Sequence, residues 1–408
     1  MTCARGGAIR RCCVATKEPS IQALAKAQRA RDVRAAALFP RLATIKRARM
    51  LTSPHATLRG AAPLYYELLA AQPWLAEGPA GEGWIVGDLH LENVGAFRTD
   101  DDRVVFDLND FDDAVQGPWR VDLLRLLTSV LLAGRSFQAA PPDALHLCEV
   151  LLEVYARALC AGPRTRTQAF PAPIAALLQR AKQRSRKELL DRRAPARRGG
   201  RRFERGERYL ELPPRIARQV PRLFAAYLGA LGDRAPNGSD TWRVLDAAQR
   251  VAGTGSLGRL RIALLIARPD DDPRLFELKE AAPSSAGLLL GRSTGHLPAA
   301  ARVVAAAQAL VQRPMRLLAA LEVDGASFVG RQLMPQEDKL DLGELHVGQM
   351  LDEVVRTVGE VVGRAHRRAA TRPPRRIWTD RELAGLLERA IVLAGIHESV
   401  ALALAQIP

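Results

Sequence analysis

Two apolar segments in the first third of the chain end in side chains that could support phosphoryl transfer. The first, Trp84 to Val86, leads into Gly87-Asp88-Leu89-His90, and Asn93 follows Asp88 by five positions. The second, Val104 to Leu108, ends among four aspartates, namely Asp107, Asp110, Asp112 and Asp113. Phosphoryl transfer needs a carboxylate that holds the attacking hydroxyl and hard oxygen ligands for magnesium. The stretch from Trp84 to Asp122 therefore predicts a hairpin that carries this chemistry.

The candidate catalytic residues are Asp88, Asn93 and His90. Asp88 directly follows an apolar strand, where an idle charge is costly unless it is paired, so a functional carboxylate is favoured over a solvated acidic loop. His90 could ligate a metal, but a histidine that braces the loop through hydrogen bonds is the favoured interpretation. Structural roles are also favoured for three other residues, Arg59, Trp119 and His366.

A glycine-rich segment and a lysine lie much farther along the chain. Gly253, Gly255 and Gly258 form G-x-G-x-x-G, which is compatible with a dinucleotide site, a hairpin over phosphates or an ordinary turn. A predicted strand over 261–267 follows the last glycine, whereas a dinucleotide site needs a helix there. Acids at 277 and 280 nevertheless keep that alternative open. A further strand ends in Lys279, so the layout favours amides and a lysine that bind nucleotide phosphates.

Composition excludes several classes of protein. The chain has 408 residues, of which 48% are apolar, so it can bury a large core and is not a disordered chain. Its apolar runs are too short for a membrane span, and its basic N-terminus lacks the apolar core of a signal peptide, which predicts a cytoplasmic protein. The five cysteines indicate neither a zinc site nor a disulfide framework. The net charge of +16 permits nucleic-acid binding, but aromatic residues make up only 5%, so nucleic acid is not the favoured partner.

Hydrophobic periodicity predicts the elements that position these groups. Residues 1–20 are predicted to be a disordered leader. Helices are predicted over Ile21–Leu38, Pro40–Met50, Ala62–Ala71, Val121–Ala133, Asp143–Cys160, Ala169–Leu190, Pro213–Leu231, Thr241–Arg250, Ala299–Leu318 with a break at Pro314, Val347–Ala370 and Asp380–Leu404. The charged segment Asp191 to Arg208 is favoured as a mobile surface connection over a site for anionic groups.

The hairpin motifs resemble those of aminoglycoside-phosphotransferase-like and protein-kinase-like enzymes. GDLHLEN is similar to their catalytic loop, NDFDDA is similar to their metal-binding loop, and Asp122 fits their structural aspartate. A closer resemblance, to a bacterial family called domain-of-unknown-function 2252, rests on SPHATLRGAA, GDLHLENVG, FDLNDFDDAVQGPW, GTGSLG, LKEA and FVGRQL. It extends from Ile45 to Ala370.

This resemblance implies a two-lobed α+β fold like that of protein kinases, with its motifs in circularly permuted order. In ordinary kinases the glycine loop and the lysine precede the catalytic loop, whereas here they follow it by more than 150 positions. Permutation can preserve such a site because surface loops and nearby termini tolerate the rearrangement. The expected parts are a large, mainly helical lobe over 21–250, a nucleotide-binding lobe over 251–333, and C-terminal helices over 334–408 that pack on the large lobe.

The resemblance also implies roles for the hairpin residues. Asp88 would be the base that orients the acceptor hydroxyl, and Asn93 and Asp110 would hold magnesium. Asp110 is preferred because it precedes Asp122 by twelve residues, as in kinases. Two further aspartates, Asp107 and Asp112, are the alternative ligands.

The glycine-rich segment and the region around Lys279 would then bind ATP. The three glycines and Lys279 would hold its phosphates, and Arg331 and Gln332 would lie in a hinge, Phe328 to Leu333, beside the adenine. Kinases place a glutamate on the helix after the lysine, but the segment from Arg302 to Gln312 contains none. This departure puts the anchoring of the lysine in question.

These expectations define three candidate functions. The favoured one is an ATP- and magnesium-dependent phosphotransferase that acts on an unidentified hydroxyl of a small molecule or a protein. The missing helix glutamate motivates an alternative, a nucleotide-binding pseudokinase that serves as a regulatory or scaffold module. The weakest candidate is a basic nucleic-acid-associated protein that binds through Arg192 to Arg208.

Overall fold

The computed structural model describes residues 19–160, 169–198, 200–236, 238, 241–268, 273–290 and 297–407. Nearly all of the predicted leader over residues 1–20 lies outside these ranges. Within them the protein has the predicted α+β fold, and the strand pairs are antiparallel. None of the helices in these ranges is long and apolar enough to cross a membrane.

Helices form the larger part of the secondary structure in the described chain. They are α1 (Ile21–Ala35), α2 (Arg41–Met50), α3 (Pro54–Gly60), α4 (Ala62–Ala71), α5 (Trp119–Ala133), α6 (Pro141–Cys160), α7 (Ala172–Gln183), α8 (Arg186–Arg193), α9 (Pro214–Leu231), α10 (Gly287–Leu290), α11 (Ala299–Leu310), α12 (Gln349–Arg368) and α13 (Asp380–Gln406).

The strands are short and widely spaced in the sequence. They are β1 (Glu82–Ile85), β2 (Val94–Arg98), β3 (Val104–Leu108), β4 (Val115–Pro118), β5 (Ala196–Arg197), β6 (Gly200–Arg201), β7 (Tyr209–Leu210), β8 (Arg243–Arg250), β9 (Arg261–Ala267), β10 (Arg274–Glu280), β11 (Ala319–Val323), β12 (Ala326–Gln332), β13 (Asp338–Lys339) and β14 (Ala370–Arg372).

One large sheet carries the glycine segment and the lysine. Its six strands lie in the order β11-β12-β10-β9-β8-β7, and α9 packs on it around a core that contains Tyr227, Leu264 and Phe276. Because β7 and β8 belong to this sheet, it begins before the predicted lobe boundary at residue 251. Strand β2 pairs with β3 on one side and with β13 on the other, while β1 lies between β4 and β14. The two apolar segments that were predicted to form one hairpin, around β1 and β3, therefore lie in separate sheets, and that prediction is wrong. We keep the name hairpin for the chain from Trp84 to Pro118.

The helix α5 lies at the centre of the main core. Almost all of its side chains are buried, as predicted for Val121 to Ala133, and they pack with those of α6, α12 and the strands of the hairpin. Two of the buried side chains, Asp122 and Arg125, are charged. Charges are buried only where partners compensate them, so this helix must be fixed against the hairpin by specific contacts.

One helix prediction is wrong and two are wrong in part. The segment predicted as a helix over Thr241–Arg250 contains β8, because its backbone pairs with β9 and β7. The predicted helix Ala169–Leu190 is interrupted at Arg184, because Ser185 and Glu188 form a capping box that starts α8. The helix that starts at Ala299 ends at Leu310, before Pro314, and β11 follows it.

The charged segment Asp191 to Arg208 is tied to the sheet rather than free at the surface. Arg205 binds the Asp246 carboxylate through two hydrogen bonds of 2.9 Å, and the Phe203 amide donates to the same carboxylate at 2.8 Å. Phe203 is buried against Tyr209. The described part of this segment is therefore structured, contrary to its favoured interpretation as a mobile connection.

Truncation of Leu264 tests the position of β9 in the core of the sheet. Its side chain is fully buried, so Leu264→Ala is expected to lower the free energy of unfolding by about 2–5 kcal/mol in urea titrations. The matched change Leu245→Ala on the exposed face of β8 is expected to cost less than about 1 kcal/mol. Equal losses in the two variants would contradict the strand assignment.

Candidate functional site

The buried carboxylate of Asp122 holds the turn that precedes Asp88. It accepts hydrogen bonds from the amides of Val86 (2.6 Å) and Gly87 (2.8 Å), and the Nε2 atom of His366 lies 3.2 Å from it. Because Gly87 has a φ of 82° and an added Cβ would lie 2.0 Å from the Asp113 carbonyl oxygen, this turn requires glycine. The position of Asp88 is thus set by α5 and α12.

His366 and Trp119 have structural positions. The rings of these two residues are stacked with centroids 5.8 Å apart, and the Tyr155 hydroxyl lies 2.8 Å from His366 Nδ1. The Tyr155 hydroxyl and the Asp122 carboxylate thus lie within hydrogen-bonding distance of the two ring nitrogens and fix the orientation of the imidazole. Both side chains are fully buried.

Asp88 is clamped by Arg125. The Nε atom of Arg125 donates to Asp88 Oδ1 at 2.8 Å, and its NH2 atom bonds both to the same oxygen and to the Leu58 carbonyl. Loss of water contact raises the pKa of Asp88 to about 7, while Arg125 acts in the opposite direction. The second oxygen, Oδ2, lies 3.6 Å from the position of a Cβ on Gly255. Asp88 and the glycine segment therefore lie against one another.

His90 and Asn93 shape the short helical turn after Asp88. The His90 Nδ1 atom accepts a hydrogen bond from the Glu92 amide at 3.2 Å, and the His90 carbonyl accepts one from the Asn93 amide at 2.9 Å. Burial lowers the pKa of His90 well below its usual value, so the ring is neutral. The buried Asn93 Oδ1 atom has no hydrogen-bonding partner among the residues that the structure describes, and Asn93 lines the main cavity.

The acids after β3 meet Lys279 from β10. Lys279 forms an ion pair with Asp112, and its Nζ atom lies 4.0 Å from Asp110 Oδ1. Although desolvation opposes the change, the charges of Lys279, Lys339 and Arg261 lower the pKa of Asp110. The acidic loop after β3 and the strand that carries Lys279, which are far apart in the sequence, are therefore brought together.

The other two aspartates of this cluster have different surroundings. Asp107 is not among the residues that line the cavity, and burial raises its pKa to about 6 although the charge of Arg368 lowers it. Asp113 borders the cavity but is buried, and it accepts the Ser285 amide at 2.6 Å. Its carboxylate is thereby used to fix the chain that follows Lys279.

The helix α11, which was examined for a glutamate that could orient Lys279, carries a buried arginine instead. Arg302 is buried on α11 and binds the carbonyl groups of Asp112, Ala114 and Ala282. No acid occurs on α11, so the carboxylate that pairs with Lys279 comes from the loop between β3 and β4. Arg302 in turn fixes the backbone of that loop against the sheet.

Helices from the N-terminal region grip the glycine segment. Lys46 donates to the Gly255 carbonyl at 3.0 Å while it pairs with Asp32 at 2.8 Å, and Arg49 donates to the Gly253 carbonyl. An added Cβ on Gly258 would lie 2.9 Å from the Ala35 carbonyl carbon. The segment joins the paired strands β8 and β9, so a strand follows its last glycine and the helix of a dinucleotide site is excluded.

A single cavity of about 650 Å³ joins these groups. It is lined by Asp88, Asn93, Asp110, Asp112, Gly253, Gly255, Lys279, Arg331 and Lys339, among others. Arg331 faces the cavity, whereas Gln332 is the next residue along β12 and its side chain points to the other side of the sheet. Most of the expected hinge, Phe328 to Leu333, is strand β12, and the cavity wall continues through Met334 and Pro335.

The residues around Asp110 are of the types that magnesium prefers. No group of three or more His, Cys, Asp or Glu side chains in the described ranges is arranged to hold a metal ion. Magnesium in phosphoryl-transfer sites is commonly held by one or two carboxylates together with substrate phosphates and water. Asp110, Asp112 and the unpartnered Asn93 Oδ1 atom fit that requirement.

Several functional contacts were missed by sequence reasoning. Arg125, Lys46, Arg302 and Lys339 each contact or line the site, but none belongs to a recognised motif. Arg125 and Arg302 carried a sequence signal, since each is a charged residue within a largely apolar helix. Lys46 and Lys339 are surrounded by residues that give no reason to single them out.

Loss of the Lys46 contact is expected to loosen the glycine segment. In Lys46→Met the amides of residues 253–260 should exchange with deuterium at least about tenfold faster, because a charge-assisted hydrogen bond is lost. Hydrogen–deuterium exchange with mass spectrometry measures this. Lys26→Met, an exposed change on α1, serves as the control and should leave exchange of the segment unaltered. Unchanged deuterium exchange of these amides in Lys46→Met would contradict a stabilising role for the contact between Lys46 and Gly255.

Comparison with known proteins identifies a family over most of the chain. Residues 38–406 match the family model described as an uncharacterised protein conserved in bacteria, DUF2252. No curated protein and no solved structure matches the chain. The matched range includes the acidic hairpin, the glycine segment and Lys279. The chain therefore belongs to the domain-of-unknown-function 2252 family.

Proposed function

We propose that the protein is an ATP- and magnesium-dependent phosphotransferase with a permuted kinase-like arrangement, acting on a hydroxyl acceptor. One observation carries the proposal: Lys279 from the large sheet lies beside Asp110 and Asp112 from the hairpin, in the cavity that Asp88 also lines. A cation for phosphate, acids for a metal and a carboxylate of raised pKa are the parts that phosphoryl transfer requires.

Each group has a defined task in the proposed reaction. Asp88 Oδ2 accepts the proton of the acceptor hydroxyl while Arg125 holds Oδ1. The acceptor oxygen forms a bond to the γ-phosphorus as the bond from that phosphorus to the bridging oxygen of ADP breaks. ADP leaves with the bonding electrons, and Lys279 together with amides of the glycine segment stabilises charge on the phosphates.

Magnesium would be held by Asn93 and Asp110, with Asp112 available as a further ligand. When bound, it neutralises charge on the phosphates. The present ion pair between Lys279 and Asp112 would then be exchanged, since the lysine would face phosphate and the carboxylate would face the metal. Asp107, which lies outside the cavity lining, has no role in this proposal.

Arg302 supports a second candidate, a nucleotide-binding pseudokinase. The arginine occupies the helix from which kinases orient their lysine, and Lys279 is held by an acid proposed to ligate the metal. A protein of this kind would bind nucleotide and not transfer its phosphate. Turnover distinguishes the two candidates.

Substitution of the two proposed acids tests the assignment. The wild-type protein is expected to bind ATP with magnesium in calorimetry and to release ADP slowly, with water in place of the acceptor. Asp88→Asn should retain binding and lose ADP release by about 100-fold or more, since it removes the base. Asp110→Asn should lose the magnesium dependence of binding.

The exposed change Asp380→Asn on α13 is the matched control and should behave as wild type. Absence of ATP binding by the wild type, or unchanged ADP release in both variants, would sink the phosphotransferase proposal. Binding without ADP release in the wild type would instead establish the pseudokinase.

The pKa of Asp88 predicts the pH dependence of turnover. A base must be deprotonated, so with a pKa of about 7 the rate should rise about tenfold per pH unit below pH 7 and level off above it. Arg125 lowers this pKa, so Arg125→Gln should move the limb to higher pH. Arg157→Gln on the exposed face of α6 is the control. If the rising part of the pH–rate profile lies at the same pH in Arg125→Gln and in the wild type, the proposed effect of Arg125 on Asp88 is contradicted.

A further inference from the structure

One wall of the cavity is built from arginines that the proposed chemistry does not use. The arginine cluster comprises Arg250 on β8, Arg261 on β9 and Arg331 on β12, which surround Glu277 on β10. The carboxylate of Glu277 is 1% exposed; Arg250 bonds to it, Arg261 Nε lies 2.7 Å from it and Arg331 lies 3.4 Å from it. Glu277 is two positions from Lys279 on one strand, so the cluster lies about 7 Å along the same face from the lysine.

The acids on this wall do not balance its positive charge. Arg331 also pairs with Glu337 at 2.8 Å, which brings the carboxylates to two. Two further arginines, Arg192 and Arg193 at the end of α8, line the same cavity. Five guanidinium groups therefore face two carboxylates, with an excess of three positive charges.

This excess makes the wall suited to anions. A guanidinium group presents paired donors that match phosphate and carboxylate oxygens, and a partly buried charge is stabilised by a counter-charge. A neutral purine is usually held by apolar walls, whereas the side chains of the arginine cluster are charged. The charged segment singled out in the sequence, of which Arg192 and Arg193 are part, contributes to the same wall.

We propose that the arginine cluster, with Arg192 and Arg193, is a second anion subsite that binds a phosphate group distinct from the one transferred. The inference deepens the proposed function and rests on it for the reaction, since it makes one reactant carry phosphate at this wall. That phosphate belongs either to the nucleotide or to a phosphorylated acceptor. Its binding does not require turnover.

Calorimetry with inorganic tripolyphosphate in the absence of magnesium tests the subsite on the full chain. The wild type is expected to bind, and the double variant Arg192→Gln/Arg193→Gln should bind at least about tenfold more weakly, because two charge-assisted contacts are lost. Lys279→Met should weaken binding less than the double variant does, since the lysine faces the same cavity but lies outside the cluster. Arg186→Gln, an exposed change on the same helix, should match the wild type.

The buried part of the wall is tested by Arg250→Gln, which should also weaken tripolyphosphate binding by about tenfold. Its thermal unfolding is measured in parallel because Arg250 also pairs with Glu277; if this variant does not fold, the double variant decides. The subsite is refuted if the wild type does not bind the probe or if the double variant binds like the wild type. It is also refuted if Lys279→Met alone abolishes binding, because the probe would then occupy the catalytic end.

Competition with ATP and magnesium separates the two sources of the phosphate. Displacement of tripolyphosphate assigns the subsite to the nucleotide, and simultaneous binding assigns it to the acceptor. The wild type could also bind tripolyphosphate and fail to bind ATP. That result would contradict the proposed function and would still support the anion subsite.

Discussion

The buried carboxylate of Asp122 is the constraint on which the site depends. A charge without access to water must be satisfied by neighbours, and those of Asp122 are two amides of the turn before Asp88 and the ring of His366. These partners come from the hairpin and from α12, while Asp122 itself lies on α5. One carboxylate thus fixes three elements, and loss of any partner would leave part of a buried charge uncompensated. The location of Asp88 follows from this arrangement.

The cleft is organised as a meeting of opposite charges. The hairpin supplies Asp110 and Asp112, and the large sheet supplies Lys279 and the arginine cluster. Lys279 and Asp112 are largely shielded from water, so their ion pair helps to hold the two surfaces in register, whereas Asp110 is half exposed and contributes less. An incoming phosphate competes for the same cations and a divalent ion competes for the same acids. These ion pairs therefore involve the same side chains that the proposed ligands would contact.

Local patterns in the sequence predicted more than distant contacts did. The buried helix over Val121 to Ala133 and the strand after the glycines were predictable, because hydrophobic runs and turn residues act within a few positions. The strand over residues 243–250 was not, since its conformation is decided by pairing with β9 and β7. The end of α7 was readable from the spacing of Ser185 and Glu188, but the capping pattern was overlooked.

The candidate site shows the same division. Asp88, Asn93 and Lys279 stand in recognisable motifs, so their chemistry could be anticipated. Which carboxylate meets Lys279 could not, because the answer depends on how α11 and Arg302 set the hairpin loop against the sheet. The charged lining of the cavity was equally invisible, since an arginine on a strand looks the same whether it faces water or a shared glutamate.

The grip of α2 on the glycine segment has a consequence for how the protein is made. The bond from Lys46 to Gly255 joins residues 209 positions apart, and the lysine that neutralises the hairpin acids is translated long after them. A nascent chain that ends before the glycine segment contains Asp110 and Asp112 but lacks Lys279. It also contains α2 but lacks the glycine segment that α2 contacts. Such distant contacts also slow folding, because a long loop must close before they form. The cleft is therefore assembled late, and a ribosome-bound fragment that lacks the large sheet cannot form it.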